Sequence, residues 1–189
     1  MAPSSVFPET FVRAVASLRA VTPRPEIACE DLAAPQRLAP FAHAISGTVT
    51  RAGEDVATGR LILLHDPAGP DAWEGTLRLV TYVTAELEPE LAADPLLPEV
   101  GWSWLTDALA AAGARYRAAG GTVTHTSSTP FGELAGKPAT ADLEIRASWT
   151  PLLPDLRAHI EAWYALLAST AGLPPPGVTA LAWPAATGS

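Results

Sequence analysis

Along the chain the apolar positions recur first at a helical spacing, then at every second residue through three stretches, then helically, then in alternation through two more stretches, and finally helically again. A period near 3.6 gathers apolar residues on one face of a helix, and a period of 2 gathers them on one face of a strand. The order therefore predicts an α+β domain with the sequence α-βββ-α-ββ-α: two layers, a five-stranded and mainly antiparallel sheet, and three helices on one of its faces.

Phe11, Val15 and Leu18 mark the first helix, from about Pro8 to Ala20, and Thr22-Pro23-Arg24-Pro25 stops it. The four prolines between residues 23 and 41 predict an irregular connection over the surface. Strands are expected near 43–50, 57–65 and 75–85, close enough in sequence for an antiparallel meander. In the second, Leu61 and Leu63 point one way and Arg60, Ile62 and Leu64 the other. The third repeats this, with Leu77, Leu79 and Val83 against Arg78, Val80 and Tyr82. Residues 86–99 carry five acids, no base and three prolines, and read as an exposed acidic loop.

The second helix is expected from Pro98-Glu99 to Gly113, with Gly101, Leu105, Ala108 and Ala112 central on its apolar arc and Trp102 and Trp104 on opposite flanks. Two more strands fall near 114–126 and 140–149. The latter alternates cleanly, with Leu143, Ile145, Ala147 and Trp149 opposed to Asp142, Glu144, Arg146 and Ser148. A last helix, about 154–171, carries Leu156, Ile160, Trp163 and Leu167 as its stripe and stops at Gly172. One domain over 8–172 is expected, between a disordered start (1–7) and a Pro-rich tail (173–189) whose Leu173-Pro174-Pro175-Pro176-Gly177 cannot continue a helix.

Composition narrows the chemistry. With 20 acids against 12 bases the net charge is −8, which argues against direct nucleic-acid binding. Cys29 is the sole cysteine, so no intramolecular disulfide forms. The first residues lack the basic and apolar regions of a secretion signal, and no apolar run approaches the length of a membrane span; a cytoplasmic location away from membranes is the expectation. The four histidines are scattered, with no local metal-ligand spacing, and no phosphate loop or nucleophile elbow is present, so no metal or cofactor is expected. Ser127 and Ser128 lie in a Thr/Ser-rich edge without such a pattern.

His65-Asp66, where a strand opens into a loop, is the best acid/base candidate, although an Asx turn before Pro67 accounts for the aspartate equally well. The sheet's second face offers more. If the helices cover the side bearing Leu61, Leu63, Leu77 and Leu79, the other side presents Arg60, Ile62, Leu64, Arg78, Val80, Tyr82 and Arg146: an apolar centre with an arginine rim. The alternative is that residues 23–41 or the C-terminal tail cover it.

Several runs carry a family resemblance: Arg24-Pro25-Glu26-Ile27, Ala34-Pro35-Gln36-Arg37-Leu38-Ala39-Pro40, Ala57-Thr58-Gly59-Arg60 with Leu64-His65-Asp66-Pro67, Asp94 to Leu105, and Glu144-Ile145-Arg146-Ala147-Ser148-Trp149-Thr150-Pro151. Through them the chain resembles an actinobacterial family known as domain of unknown function 3000, over nearly all of residues 9–181. That resemblance supplies no activity. The element order is also similar to that of type III secretion chaperones and YbjN-like proteins, small acidic two-layer proteins that bind other proteins, often as dimers; this implies a protein-binding role by topology alone. The leading expectation is a non-catalytic, chaperone-like adaptor that binds another protein, or a second copy of itself, through the open sheet face. The rival is an enzyme or small-molecule binder with a pocket formed by His65, Asp66, Arg60 and Arg146.

Overall fold

A computed structural model describes residues 7–177; residues 1–6 and 178–189, where most of the expected disordered start and much of the expected tail fall, lie outside the described residues. The elements are α1 (Glu9–Arg19), β1 (Ile27–Leu32), β2 (Phe41–Arg51), β3 (Glu54–His65), β4 (Leu77–Glu86), α2 (Pro89–Ala92), α3 (Leu97–Ala111), β5 (Tyr116–Ser128), β6 (Thr140–Pro151) and α4 (Arg157–Thr170). The strands form one six-stranded sheet in the order β1-β2-β3-β4-β6-β5, with every neighbouring pair antiparallel.

The α+β class, the antiparallel sheet and three long helices on one face agree with the pattern of the sequence. Two counts do not. The sheet has six strands where five were expected, because part of the supposedly irregular connection is β1. Its sequence, Ile-Ala-Cys-Glu-Asp-Leu, places two acids side by side and buries only Ile27 fully, so alternation is too weak to show. Pairing supplies what alternation lacks: Ile27 to Leu32 run against Val49 to Ala44. The entry is held by Arg24, which donates from Nε and Nη2 to the Glu26 carboxylate at 3.0 and 2.9 Å. The second correction is the acidic stretch, which contains the one-turn helix α2 and buries Leu87 and Leu97 at its two ends. Apolar anchors ten residues apart tie it down despite its charge.

Glycines set how closely the helical layer approaches. Gly47 and Gly59 are direct partners on β2 and β3, and the Trp163 indole and the Leu167 side chain of α4 rest on this bare patch. A Cβ at Gly59 would lie 2.6 Å from Leu167 Cδ2, and one at Gly47 would lie 2.7 Å from Leu167 Cδ1. Real Cβ atoms essentially never come that close, so as packed the seat leaves no room for a side chain on either strand unless Leu167 and Trp163 shift. Gly101 does the reverse on α3, where a Cβ would stand 3.2 Å from Val123 on β5.

Polar links fix the seated rings. The Trp163 Nε1–H donates to Thr81 Oγ1 at 2.9 Å, and that hydroxyl donates to the Arg60 carbonyl at 2.9 Å. Trp149, also fully buried, donates from Nε1 to His159 Nδ1 at 3.0 Å. Trp102 and Trp104 are both half-buried, and Trp102 lies against β5 at Gly121. Phe11 of α1, Phe41 of β2 and His65 of β3 stack together at centroid separations near 6 Å, and Phe7 joins them from before α1. The three long helices thus occupy one side, and among the described residues no α-helix lies over the opposite side of the sheet.

Candidate functional site

Cross-strand register sorts the helix-free face into rows. One row reads Glu30, Ser46, Arg60, Tyr82, Arg146, Thr122 from β1 to β5, so Tyr82 sits between two arginines. A second row carries Ala28, Thr48, Thr58, Thr84, Glu144 and Thr124, in which the Thr58 and Thr84 hydroxyls are hydrogen-bonded at 3.0 Å. A third carries Leu32, Ala44, Ile62, Val80, Ser148 and Gly120. Strand pleating produces these rows, since every second residue of a strand faces the same side.

Of the seven residues expected to form a binding surface, five meet at the centre of this face. Arg60, Tyr82 and Arg146 are exposed, and Ile62 and Val80 are half-buried beside them. The Arg146 guanidinium stands 5.3 Å from the centre of the Tyr82 ring and binds Glu144 at 3.0 Å, while the Tyr82 hydroxyl donates to the same carboxylate at 2.6 Å. That hydrogen bond to Glu144 raises the Tyr82 pKa, so the phenol keeps its proton. Arg60 makes no ion pair among the described residues, and its charge is available to a partner. Beside Tyr82 and Arg146, the missing side chain at Gly120 opens a shallow depression of about 420 Å³ that reaches Val80, Thr122 and Ser148.

The other two residues are built into the protein. Leu64 is 4% exposed. Arg78 donates to the Ala118 carbonyl (2.8 Å), to Thr150 Oγ1 (3.0 Å) and to Ser148 Oγ (2.7 Å), and burial lowers its pKa. Ala118 has a positive φ of 50° in the irregularity between Arg117 and Gly120, so Arg78 pins a bulge of β5. The loop between β3 and β4 closes over this end of the face, where the buried Thr150 hydroxyl donates to the Trp73 carbonyl. Two described pieces of the segments expected to cover the face lie elsewhere. Residues 27–32 lie within the sheet, and Leu173 to Pro176 lie on the other side, with α4 and Val21 to Arg24, around a cavity of about 380 Å³. There the Arg24 side chain is already engaged with Glu26 and the Pro174 carbonyl.

The acid/base candidates hold structure in place. His65 is 3% exposed in the aromatic stack and bonds through Nδ1 to the Thr76 carbonyl at 2.9 Å. Asp66 Oδ1 accepts the Ala68 N–H at 2.9 Å, which is the Asx turn. His65 faces the helical layer while Arg60 and Arg146 face away from it, so these four side chains do not converge. Sequence reasoning missed the buried His159, whose only signal was its place next to Ile160 on the apolar stripe. Burial pushes its pKa down to about 4. Among the described residues no three His, Cys, Asp or Glu side chains cluster to hold a metal, and no helix is long and apolar enough to cross a membrane.

A six-stranded antiparallel sheet, covered on one side by helices and presenting an arginine-tyrosine row on the other, defines a two-layer α+β protein with an open face. Residues 7–179 match the family described as Protein of unknown function (DUF3000), and the chain belongs to that family. Neither a curated protein nor a solved structure is significantly similar to it.

Proposed function

We propose that the protein is a non-catalytic, chaperone-like adaptor that binds another protein through the open face of its sheet, with Arg60, Ile62, Val80, Tyr82 and Arg146 as the contact residues. The observation that carries this reading is the row Arg60-Tyr82-Arg146 running beside Ile62 and Val80 where none of the described helices lies over the sheet. Arginine and tyrosine are the residue types that dominate binding energy at interfaces, because each combines a large apolar surface with directional donors. The unpaired Arg60 selects the partner's chemistry: a segment with a carboxylate set among apolar side chains, able to lie across the strands. The enzyme reading lacks comparable support, since His65 and Asp66 are engaged internally.

The test begins with affinity capture from the native host and continues with titration of the purified partner. Arg60→Glu, and separately Ile62→Glu with Tyr82→Glu, should weaken binding tenfold or more while leaving the circular dichroism spectrum intact. Arg13→Glu on the exposed side of α1 should change nothing. A partner that binds the face variants as tightly as the parent protein, or that is lost only with the α1 variant, removes the open face from the function.

A further inference from the structure

The two edges of the sheet are built differently. β1 is six residues long and carries Glu30 and Asp31, the usual features that keep an edge strand from pairing with another chain. At the other edge, β5 runs for 13 residues and pairs only with β6. From Ala118 to Thr129 it has no Asp, Glu, Lys, Arg or Pro, in a chain whose net charge is −8. Beyond the bulge near Gly120, its outward N–H and C=O groups form a continuous rim that pairs with no other strand among the described residues, and every residue from Gly120 to Ser128 except Val123 is exposed.

We propose that this rim pairs with the same rim of a second copy of the chain, β5 against β5 in antiparallel register about Thr124, joining two sheets into one of twelve strands. The partner is identified by the strand's own pattern. Thr122-Val123-Thr124-His125-Thr126 reads the same at its threonines in both directions, and all three threonines lie on the open face. A two-fold axis at Thr124 places Thr124 opposite itself and each Thr122 opposite the other copy's Thr126, so three threonine pairs meet across the axis on the open face. Directly opposed threonines on neighbouring strands are favourable pairs, and two-fold symmetry satisfies both copies with one contact.

Charge favours self-pairing as well. Two chains of net charge −8 repel over most of their surfaces, and this edge lets them meet without opposing carboxylates. On the helical side, the half-buried Trp102 lies over Gly121 at the same edge, where an added strand would cover its remaining exposed surface. The contact uses the sheet edge and leaves the open face available, so it stands independently of the adaptor reading.

Sedimentation equilibrium on the full chain tests it with two variants altered at the same positions. Thr122→Lys with Thr126→Lys opposes lysines in two symmetric pairs and should weaken self-association by about tenfold or more. Thr122→Lys with Thr126→Glu opposes each lysine to a glutamate and should retain the parent protein's dimer mass. Both sites are exposed, and circular dichroism verifies the fold. A monomeric parent protein overturns the proposal, as does equal behaviour of the two variants, whether both dimeric or both monomeric.

Discussion

Gly59→Ala isolates the contact that seats α4 on the sheet, and two opposing effects decide its sign. Gly59 lies outside the positive-φ glycines, so alanine fits its backbone. Removing glycine's extra freedom from the unfolded chain should then stabilise the protein by about 0.4–1 kcal/mol. Against this, the new methyl would stand 2.6 Å from Leu167 Cδ2, 3.2 Å from Trp163 Cζ2 and 3.3 Å from Val83 Cγ2. The indole has little room to retreat, because its N–H is bonded to the buried Thr81 hydroxyl. Overpacking of this kind costs about 1–3 kcal/mol, so the net expectation is destabilisation by about 1–2 kcal/mol.

Leu167 supplies the internal control. Leu167→Ala alone should cost about 2–5 kcal/mol, but it removes the atom nearest the new methyl. In that background Gly59→Ala should be neutral or stabilising, a coupling of about 2 kcal/mol between the two sites. Gly47→Ala should not be rescued equally, since its methyl would also meet Trp163 Cη2 at 2.9 Å. Urea melts followed by tryptophan fluorescence and circular dichroism, with slopes compared, measure the parent protein and all five variants. If Gly59→Ala stabilises the parent protein, or costs the same in both backgrounds, α4 does not rest on the glycine pair and the packing described above is wrong.

Three further outcomes are expected. His159 has a pKa of about 4 in the folded chain against 6.5 unperturbed, so between these values only the unfolded state takes up the proton; stability is fully present above about pH 6.5 and falls by about 3 kcal/mol towards pH 4, and His159→Gln should flatten that part of a pH series of urea melts. Trp163→Ala and Trp149→Ala, which empty fully buried sites, should each cost about 3–5 kcal/mol, and the half-buried Trp102 and Trp104 distinctly less, as denaturant melts of the four variants would report. The protein should bind neither RNA nor DNA at physiological salt, because Arg78 and Arg146 are engaged internally within a chain of net charge −8; micromolar, steeply salt-dependent fluorescence anisotropy with oligonucleotides would refute this.

Local periodicity was enough to reveal β3, β4 and β6, since strands packed on one side repeat every two residues whatever lies beside them. Helical stripes such as Leu156, Ile160, Trp163 and Leu167 announced α4 for the same reason. The residues at the centre of the open face were legible too, because pleating alone puts Arg60, Ile62, Val80, Tyr82 and Arg146 on one side of their strands. Their assembly into one row was not. It depends on register, which β4 sets by pairing with both β3 and β6, strands far apart in sequence.

What escaped the sequence was whatever depends on contact across the chain. β1 has no periodicity of its own and exists because β2 offers it a ladder of backbone partners. The helical arc placed Trp102 and Trp104 on opposite flanks of α3, but how far each is covered depends on the sheet beneath: both are half-buried, Trp102 against the bare surface at Gly121. Leu64 and Arg78 looked like surface residues because their strand face is open, but Leu64 is buried and Arg78 is bonded to β5 and β6. The amino-acid order thus determined the elements and the faces they present, through short-range sterics and period. Only tertiary packing decided the sixth strand, which part of the open face stays accessible, and that His65 and Asp66 serve the fold, because burial and hydrogen-bond partners are properties of residues brought together from distant parts of the chain.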